Sequence, residues 1–342
     1  MKNLILFAVL FSLLLLISAC SDTVVTPAEI QPQEIYFNSA NSVSSDIRTI
    51  NSSGNNNYLI LKNAVLLSSP RFKMLAGSFD SLFYYSSMFV TDLKGNNRID
   101  LPLGNYKPVY AQLSPDSKKV LFTCDEGNYL MIINSDGTNL LQLSNAILGT
   151  ENAVSFSPVS NQIAFIGYTA DSGSALNIIN TDGTGERIIK DSINYSNYNT
   201  LDWSNYGKIV FINTENQKSH LFTIYPDGSG LKRISPEPGD FDDSPAWSPD
   251  GSKIAFVTFI NMIVNVCIIN EDGTGKIILS PSSQEYQYSP RWSLDGKKIL
   301  FTTRNLSNTE GKIKVYNTTT NTTTILTDGG PAFWNLTIVA IP

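Results

Sequence analysis

The sequence is poor in the residues that carry most enzymatic chemistry. Its 342 residues include one histidine, His220, and three cysteines. One histidine excludes a His-rich metal site and argues against a Ser-His-Asp triad, and the chain contains no Gly-x-Ser-x-Gly nucleophile elbow. Carboxylate-only catalysis would need no more than a buried Asp or Glu with a partner. We nevertheless expect a protein that is not an enzyme, with no catalytic residues, no metal and no cofactor.

Basic residues are scarce as well. The chain has 24 Lys and Arg against 30 Asp and Glu, a formal net charge of −6, and no basic run. Nucleic acids and anionic lipid headgroups are therefore poor candidate partners. Cys124 and Cys267 lie far apart in the chain, so we expect no disulfide between them and predict that they are small apolar residues inside strands.

No apolar run reaches the ~20 residues that span a bilayer. The longest follows a short positive head and covers residues 4–17, with Ser12 the one interruption, as in a secretory signal. Its end, Ile17-Ser18-Ala19-Cys20, resembles the bacterial lipobox, which implies cleavage before Cys20 and lipidation of the Cys20 thiol. The alternatives are an uncleaved anchor helix and an ordinary signal with a chance cysteine. We expect a signal peptide at 1–19, the lipidated Cys and a polar tether at 20–33, and a body at 34–342.

A repeat of 42–47 residues runs along this body. Its anchor is a Trp-Ser-Pro-Asp-Gly-like hairpin turn, clearest in the stretch SPAWSPDGSKIAFVT at residues 244–258. The anchor positions are Ser69, Ser114, Ser157, Ser204, Ser248, Ser293 and a weaker Asn335, and all four tryptophans directly precede an anchor. A second landmark, an Asp-Gly-type turn as in INEDGTG (269–275), recurs with the same period. Asp-Gly and Asn-Gly turns contradict helical repeats of similar length.

The second strand of each repeat is apolar on both alternating faces, as in Ile254-Ala255-Phe256. Such a strand must be covered on both sides, which radially packed four-stranded blades achieve. We therefore predict an all-β protein, a β-propeller of four-stranded blades. Seven blades are preferred, with the ring closed by pairing PAFWN (331–335), as a first strand, with the N-terminal strands 35–62. If LTIVAI (336–341) competes with residues 35–39 instead, a six-bladed ring is the alternative.

The pattern SPAWSPDGSKIAFVT followed by INEDGTGKIIL resembles the WD-like repeats of the TolB-type propeller family. The match is close at 244–280, good at 111–143, 154–190 and 289–303, and weak before residue 100. The resemblance implies the propeller fold but no single function, because relatives include envelope scaffolds, peptidase-associated propellers and lyases. TolB itself carries an extra α/β domain and is not a lipoprotein, so its partners do not carry over to this chain.

Two sets of acidic residues are candidates for a site. The first comprises the turn residues Asp136, Asp182, Asp227, Asp250, Asp272 and Asp295, for which a structural role in the turns is favoured over Ca²⁺ binding. The second lies in the loops that enter strand one and ring one mouth of the central channel. There we predict a binding rim of exposed side chains, formed by Asp242, Asp243, Glu285, Tyr286, Tyr288, Tyr195, Tyr198 and Glu151.

The leading functional prediction is a non-catalytic, lipid-anchored envelope protein whose propeller binds a protein partner. The alternative is a surface propeller that binds or processes glycans. A broad apolar and aromatic rim would favour protein binding, whereas a deep polar funnel with two facing carboxylates would favour glycan chemistry. Of the two bacterial membranes the outer one is favoured. The sequence does not distinguish its periplasmic side from its cell-surface side.

Overall fold

A computed structural model describes most of the body of the chain. It covers residues 34–40, 45–51, 58–61, 65–68, 73–79, 85–124, 129–148, 153–169, 173–194, 200–236, 241–260, 262–282, 284–307, 310–327, 330–331 and 339–340. The predicted signal peptide, Cys20 and the predicted tether lie outside these residues. Within these residues, no helix is both long enough and apolar enough to cross a membrane.

Thirty strands, numbered in chain order, make up the described secondary structure. The first fifteen are β1 (Glu34–Ala40), β2 (Ser45–Asn51), β3 (Tyr58–Leu61), β4 (Val65–Ser68), β5 (Lys73–Phe79), β6 (Tyr85–Asp92), β7 (Ile99–Asp100), β8 (Pro108–Leu113), β9 (Lys119–Cys124), β10 (Leu130–Asn134), β11 (Leu141–Ser144), β12 (Ile147–Leu148), β13 (Val154–Phe156), β14 (Gln162–Thr169) and β15 (Gly173–Asn180). The others are β16 (Arg187–Lys190), β17 (Leu201–Trp203), β18 (Ile209–Glu215), β19 (Lys218–Ile224), β20 (Lys232–Arg233), β21 (Asp242–Trp247), β22 (Lys253–Ile260), β23 (Ile263–Asn270), β24 (Ile277–Ile278), β25 (Glu285–Trp292), β26 (Lys298–Asn305), β27 (Glu310–Asn317), β28 (Thr322–Ile325), β29 (Gly330–Pro331) and β30 (Val339–Ala340).

Consecutive antiparallel strands form six blades, which we number I to VI. They are β4–β7, β8–β11, β12–β16, β17–β20, β21–β24 and β25–β29. Four have the simple order one-two-three-four. In blade III, β12 and β13 both pair with β14, and in blade VI the short β29 adds to β27. The prediction of an all-β propeller with four-stranded blades is confirmed.

The preferred count of seven blades is wrong, because consecutive strands build six blades, the alternative count. The remaining strands form a terminal sheet in the order β3-β2-β1-β30, which draws on both ends of the body. It closes through Val339 and Ala340, which pair with Tyr36 and Ile35. Pro331, predicted to begin the closing strand, pairs with Glu310 of blade VI instead. The rest of PAFWN lies outside the described residues.

Each blade turns a wide apolar sheet towards its neighbours. The strand-two residues Phe122, Phe165, Phe211, Phe256 and Phe301 are completely buried. Five apolar clusters fill the spaces between consecutive blades from I to VI, and each draws on both blades that it joins. Burial on both faces of a sheet explains why both alternating sets of strand two are apolar. Cys124 and Cys267 are buried and unbonded within this core, and burial raises the pKa of each thiol to about 12.

The blades expose two different ends. We call "turn face" the end that holds the connections between strands one and two and between strands three and four. We call "loop face" the opposite end, which holds the connections between strands two and three and the segments that lead into strand one. Antiparallel order places every connection of each kind at the same end.

The turn face is built from one repeated pattern of hydrogen bonds. In blades II, V and VI the anchor serine donates its hydroxyl hydrogen to the turn aspartate at 2.6 Å, as from Ser248 Oγ to Asp250 Oδ1. In the turns after strand three, Asp136, Asp182 and Asp272 each accept hydrogen bonds from the backbone and hydroxyl of a threonine. The threonine hydroxyl is the main reason that the pKa of each of these three aspartates is lowered. The predicted turn role of these residues is confirmed.

Candidate functional site

Five of the eight predicted rim residues lie at the start of strand one in two adjacent blades. Asp242 and Asp243 belong to β21, and Glu285, Tyr286 and Tyr288 belong to β25. Tyr195, Tyr198 and Glu151 lie outside the described residues. The two strands contact each other, so the five residues share one sector of the loop face.

Asp242 is not on an exposed rim, and that part of the prediction is wrong. Its side chain is completely buried, and within the described part of the chain neither carboxylate oxygen has a hydrogen-bond partner. Gln287 is the equivalent residue of blade VI and is also completely buried. Its amide oxygen accepts from the Val266 backbone at 2.9 Å, and its amide nitrogen donates to the Ser280 carbonyl. The shorter aspartate side chain makes neither bond, so Asp242 occupies an inward position with no hydrogen-bond partner among the described residues.

Asp243 joins two blades rather than facing solvent freely. Its Oδ1 accepts from the Thr200 hydroxyl of blade IV at 2.9 Å and from the Ser244 backbone at 2.6 Å. Burial raises the pKa of Asp243, and the hydrogen bond from Thr200 offsets part of the rise. The strand bulges here, because the pairing register shifts between Asp243 and Ala246 and Ser244 adopts a φ of 51°. Blade VI has the same bulge at Ser289, with a φ of 53°.

Glu285 is held by two lysines of its own blade. Its carboxylate pairs with Lys314 and, at 3.4 Å, with Lys312. Burial by itself would raise the pKa of Glu285, but the hydrogen bond and charge of Lys314 outweigh it and lower the pKa. The carboxylate is therefore a charged, internally neutralised group, with little capacity left for a ligand.

Tyr286 and Tyr288 form the part of the predicted rim that can contact a partner. Their ring centroids are 6.5 Å apart with a 56° angle between the rings, and the Arg304 guanidinium lies 5.6 Å from the Tyr288 centroid. All three side chains are partly exposed. Burial raises the pKa of Tyr288, so the phenol is neutral and can donate or accept a hydrogen bond.

Sequence reasoning missed a set of exposed apolar side chains on the same face. They lie at the connections between strands two and three and in the segment before β21, namely Tyr129, Tyr168, Phe241, Met262 and Leu306. Met262 is 74% exposed, and the Phe241 ring packs edge-on against Phe259 at 6.5 Å. The prediction concentrated on the segments that enter strand one, although an apolar residue inside a short connection, such as Met262, would have been a usable signal.

Strand one also carries a polar cluster that links the blades. Asp202 accepts from the backbone N–H of Trp203 at 2.9 Å and from that of Trp247, in the next blade, at 2.7 Å. Burial raises the pKa of Asp202, and its hydrogen bond to Trp247 and the charge of Arg291 offset part of the rise. Tyr110, whose pKa burial also raises, lies within the electrostatic reach of both Arg291 and Asp202.

Nothing in this arrangement forms a metal centre. No group of three or more His, Cys, Asp or Glu residues in the described ranges is placed to hold a metal ion. His220 is buried, and its Nδ1 lies 3.2 Å from a guanidinium nitrogen of Arg233.

Comparison with known proteins places the fold among propellers of several activities. The chain resembles the putative TolB of Agrobacterium tumefaciens, at 14% identity and a TM-score of 0.54 over 80% of this chain and 98% of that one. TolB of Acinetobacter baumannii matches at 12% identity and a TM-score of 0.57, over 94% and 88% of the two chains. An oligogalacturonate lyase of Vibrio parahaemolyticus matches at 10% identity and 0.58, over 85% and 84%. These identities show the fold alone.

The sequence itself assigns the family. No curated protein sequence matches the chain. The family model described as the TolB beta propeller domain matches residues 128–332, which is 205 of the 342 residues. This chain therefore belongs to the TolB β-propeller domain family.

Proposed function

We propose that the protein is a non-catalytic, lipid-anchored envelope propeller that binds a protein partner through its loop face. The observation that carries the proposal is the set of exposed apolar side chains on that face, Tyr129, Tyr168, Phe241, Met262 and Leu306. They come from four blades and lie at the same end as Tyr286, Tyr288 and Arg304. Tyr, Phe, Met and Arg are the residue types enriched in the centres of protein interfaces.

The carboxylates of the same face support protein binding over glycan processing. Glycoside hydrolysis needs two carboxyl groups that flank the bond to be cleaved. Here Asp243 is bonded to Thr200, Glu285 is paired with two lysines, and Asp242 is buried. In the described part of this face the predicted rim offers no two free carboxylates to a substrate.

The proposed localisation in the cell envelope rests on the N-terminal sequence and on the family. The run Ile17-Ser18-Ala19-Cys20 supports lipidation at Cys20, and TolB proteins are among the structural relatives. Two or more acyl chains anchor a protein firmly without a transmembrane helix, since each buried CH₂ contributes ~0.8 kcal/mol. A clickable fatty acid should label the wild type and not Cys20→Ser. Equal labelling of the two would contradict the anchor and leave the partner proposal to its own test.

The partner proposal is tested by affinity capture from detergent-solubilised envelopes with the full-length protein as bait. Met262→Ser is the probe, and Val159→Ser on the turn face is a matched control, because both side chains are 74% exposed. Exposed substitutions of this kind change stability by no more than ~0.5 kcal/mol. We expect the captured partner to be depleted with Met262→Ser combined with Phe241→Ser and to be retained with Val159→Ser. Equal capture by both variants would place the interface elsewhere.

A further inference from the structure

A cleft of about 550 Å³ opens on the turn face between blades IV and V, opposite the face discussed above. Its wall includes Tyr206, Lys208 and Tyr225 of blade IV and Trp247, Ser252 and Glu271 of blade V. A volume of this size falls within the ~300–1,000 Å³ typical of small-molecule sites.

Blade IV departs from the repeat at two positions, and both line this cleft. The first is Tyr206, which stands where the anchor turns of blades II, V and VI have Asp116, Asp250 and Asp295. The second is Tyr225, which stands where the turns after strand three have Asn134, Asn180 and Asn270. Each replaced residue makes a bond that holds its turn, such as Ser248 to Asp250 at 2.6 Å and Asn270 to Thr274 at 3.0 Å. Blade IV thus gives up two turn bonds and gains two aromatic rings at one place.

Neither ring is needed for the core. Tyr206 is 68% exposed and Tyr225 39% exposed. The Tyr206 ring rests on Gly251 of blade V, where an added Cβ would lie 2.6 Å from a ring carbon. The Lys208 ammonium lies 5.4 Å from the Tyr225 centroid, a cation–π contact with the second ring. Two exposed, positioned rings offer flat apolar surfaces with polar tips.

Trp247 forms part of the cleft wall and differs from its equivalent in the next blade. Its side chain is 7% exposed, and its indole Nε1 has no hydrogen-bond partner within the described residues. The equivalent indole of blade VI, Trp292, donates to the Ala246 carbonyl at 3.0 Å. The Trp247 N–H is itself buried, so it is not a contact for a ligand, and Trp247 contributes only to the wall of the cleft.

The frame of the cleft is fixed by bonds between the two blades. Lys208 pairs with Glu271 at 3.0 Å, Lys232 donates to the Asp272 carbonyl at 2.8 Å, and Asn205 donates to the Pro249 carbonyl at 3.3 Å. A ligand would thus enter a site that exists before binding, which lowers the entropic cost of association.

The charges around the cleft narrow the class of ligand. Asp250, Glu271 and Asp272 carry three negative charges against the two positive charges of Lys208, in the wall, and Lys232, at the edge, a net of −1. Anionic ligands are therefore repelled. Sugar hydroxyls both donate and accept hydrogen bonds, and the C–H face of a pyranose ring packs on an aromatic ring.

We propose that this cleft binds an uncharged saccharide unit, stacked on the exposed ring of Tyr206 and in contact with the ring of Tyr225. The Glu271 carboxylate and the Ser252 hydroxyl oxygen, whose hydrogen is donated to Asp250, would accept hydrogen bonds from its hydroxyl groups. The site lies on the face opposite the proposed protein interface, so it does not rest on that function and the two can fail separately.

Titration of the purified full-length protein in detergent tests the proposal. The probes are a hexamer of N-acetylglucosamine, a hexamer of β-linked glucose and, as the anionic comparison, trigalacturonate. Tryptophan fluorescence and saturation-transfer NMR follow binding. We expect at least one neutral hexamer to bind and trigalacturonate to bind more weakly. Tyr206→Ala should weaken binding about tenfold, because it removes the stacking ring.

The matched control is Val159→Ala, which changes the same turn position in blade III. It should leave the affinity unchanged. Tyr225→Ala removes the second exposed ring of the cleft, and a loss of affinity of about tenfold is expected. If that variant does not fold, the comparison of Tyr206→Ala with Val159→Ala still decides the matter. The proposal is overturned if neither hexamer binds at about 5 mM, if Tyr206→Ala binds as the wild type does, or if trigalacturonate binds most tightly.

Discussion

The two ends of the blades use the same scaffold in opposite ways. The turn face repeats one set of side-chain bonds from blade to blade, and its one double exception, blade IV, lines a cleft. On the loop face few bonds recur: Gln287 bonds the preceding blade, whereas Asp242 at the same position bonds nothing in the described residues. On the turn face the same bonds recur, so a residue that departs from the repeat indicates a special role. On the loop face few bonds recur, so the role of a residue must be judged from its own contacts.

The strictness of the turn face can be measured at its glycines. Gly273 and Gly207 have nearly equal φ values of 88° and 87°, but a Cβ at Gly273 would lie 2.6 Å from the Ile234 carbonyl oxygen of blade IV. At Gly207 nothing lies within 4 Å. Gly273→Ala should therefore cost about 2–5 kcal/mol of unfolding free energy, and Gly207→Ala about 1–2 kcal/mol. Denaturant unfolding of both variants measures the difference. Equal losses would mean that backbone strain, not contact between blades, dominates.

The looseness of the loop face can be measured at two equivalent positions. Gln287→Ala leaves the Val266 N–H and the Ser280 carbonyl without their partner, which should lower the unfolding free energy by about 2–4 kcal/mol. Asp242→Ala removes only oxygens that have no partner among the described residues, and its small cavity offsets the gain, so the change should stay within about 1 kcal/mol. Similar losses for both would show that Asp242 has a bonded role.

Between the two ends, Asp202 should give a pH-dependent effect. Its folded pKa lies above the unfolded value of about 3.9, mainly because of burial. The charged form is therefore costly in the folded state, and the cost appears as the pH rises from the unfolded towards the folded pKa. Asp202→Asn removes this cost and loses one acceptor at every pH. Its melting temperature relative to the wild type should consequently be higher at pH 7 than at pH 3. A difference that does not change with pH would contradict the buried charge.

The smallest effect is expected at the ion pair that crosses the cleft. Lys208 and Glu271 are 25% and 45% exposed, and exposed pairs contribute ~0.2–1 kcal/mol. Lys208→Met should lower the unfolding free energy by about that amount in low salt and by less in 1 M salt, where screening is strong. Ser204→Ala, in the same turn, is a suitable control for salt effects that do not involve the pair. A loss that is unchanged in high salt would point to lost packing of the lysine stem.

Much of the fold could be predicted from the sequence because each repeat is marked by local turn residues and by the apolar pattern of its strands. The Trp-Ser-Pro-Asp-Gly anchors and the aliphatic-x-Phe strands correspond to real hairpins, and the phenylalanine of each aliphatic-x-Phe motif is buried. Ring closure could not be read, because PAFWN and LTIVAI are both apolar and local pattern does not decide which pairs with β1. The backbone pairs Val339 and Ala340 with β1.

The candidate site was harder to predict, for a reason visible in β21. Alternation along a strand tells inside from outside only while the strand is regular. The bulge at Ser244 shifts the register between Asp243 and Ala246, so an apparently exposed Asp242 points inward. Serine with positive φ carries no signal comparable to that of glycine. By contrast, the two unusual tyrosines of blade IV are visible in the sequence, Tyr206 in WSNYGK and Tyr225 in IYPDG. Only the structure shows that both line one cleft.

The pairing of β1 with β30 also sets an order of events during biosynthesis. Tyr36 and its partner Val339 are 303 residues apart in the chain. At ~5–20 residues per second, β1 emerges from the ribosome ~15–60 s before the strand that covers its edge. During that interval an open strand edge can pair with other chains. A chaperone or secretion factor that shields the first residues of the body until synthesis is complete would therefore raise the yield of closed rings more than one that acts on the blades between.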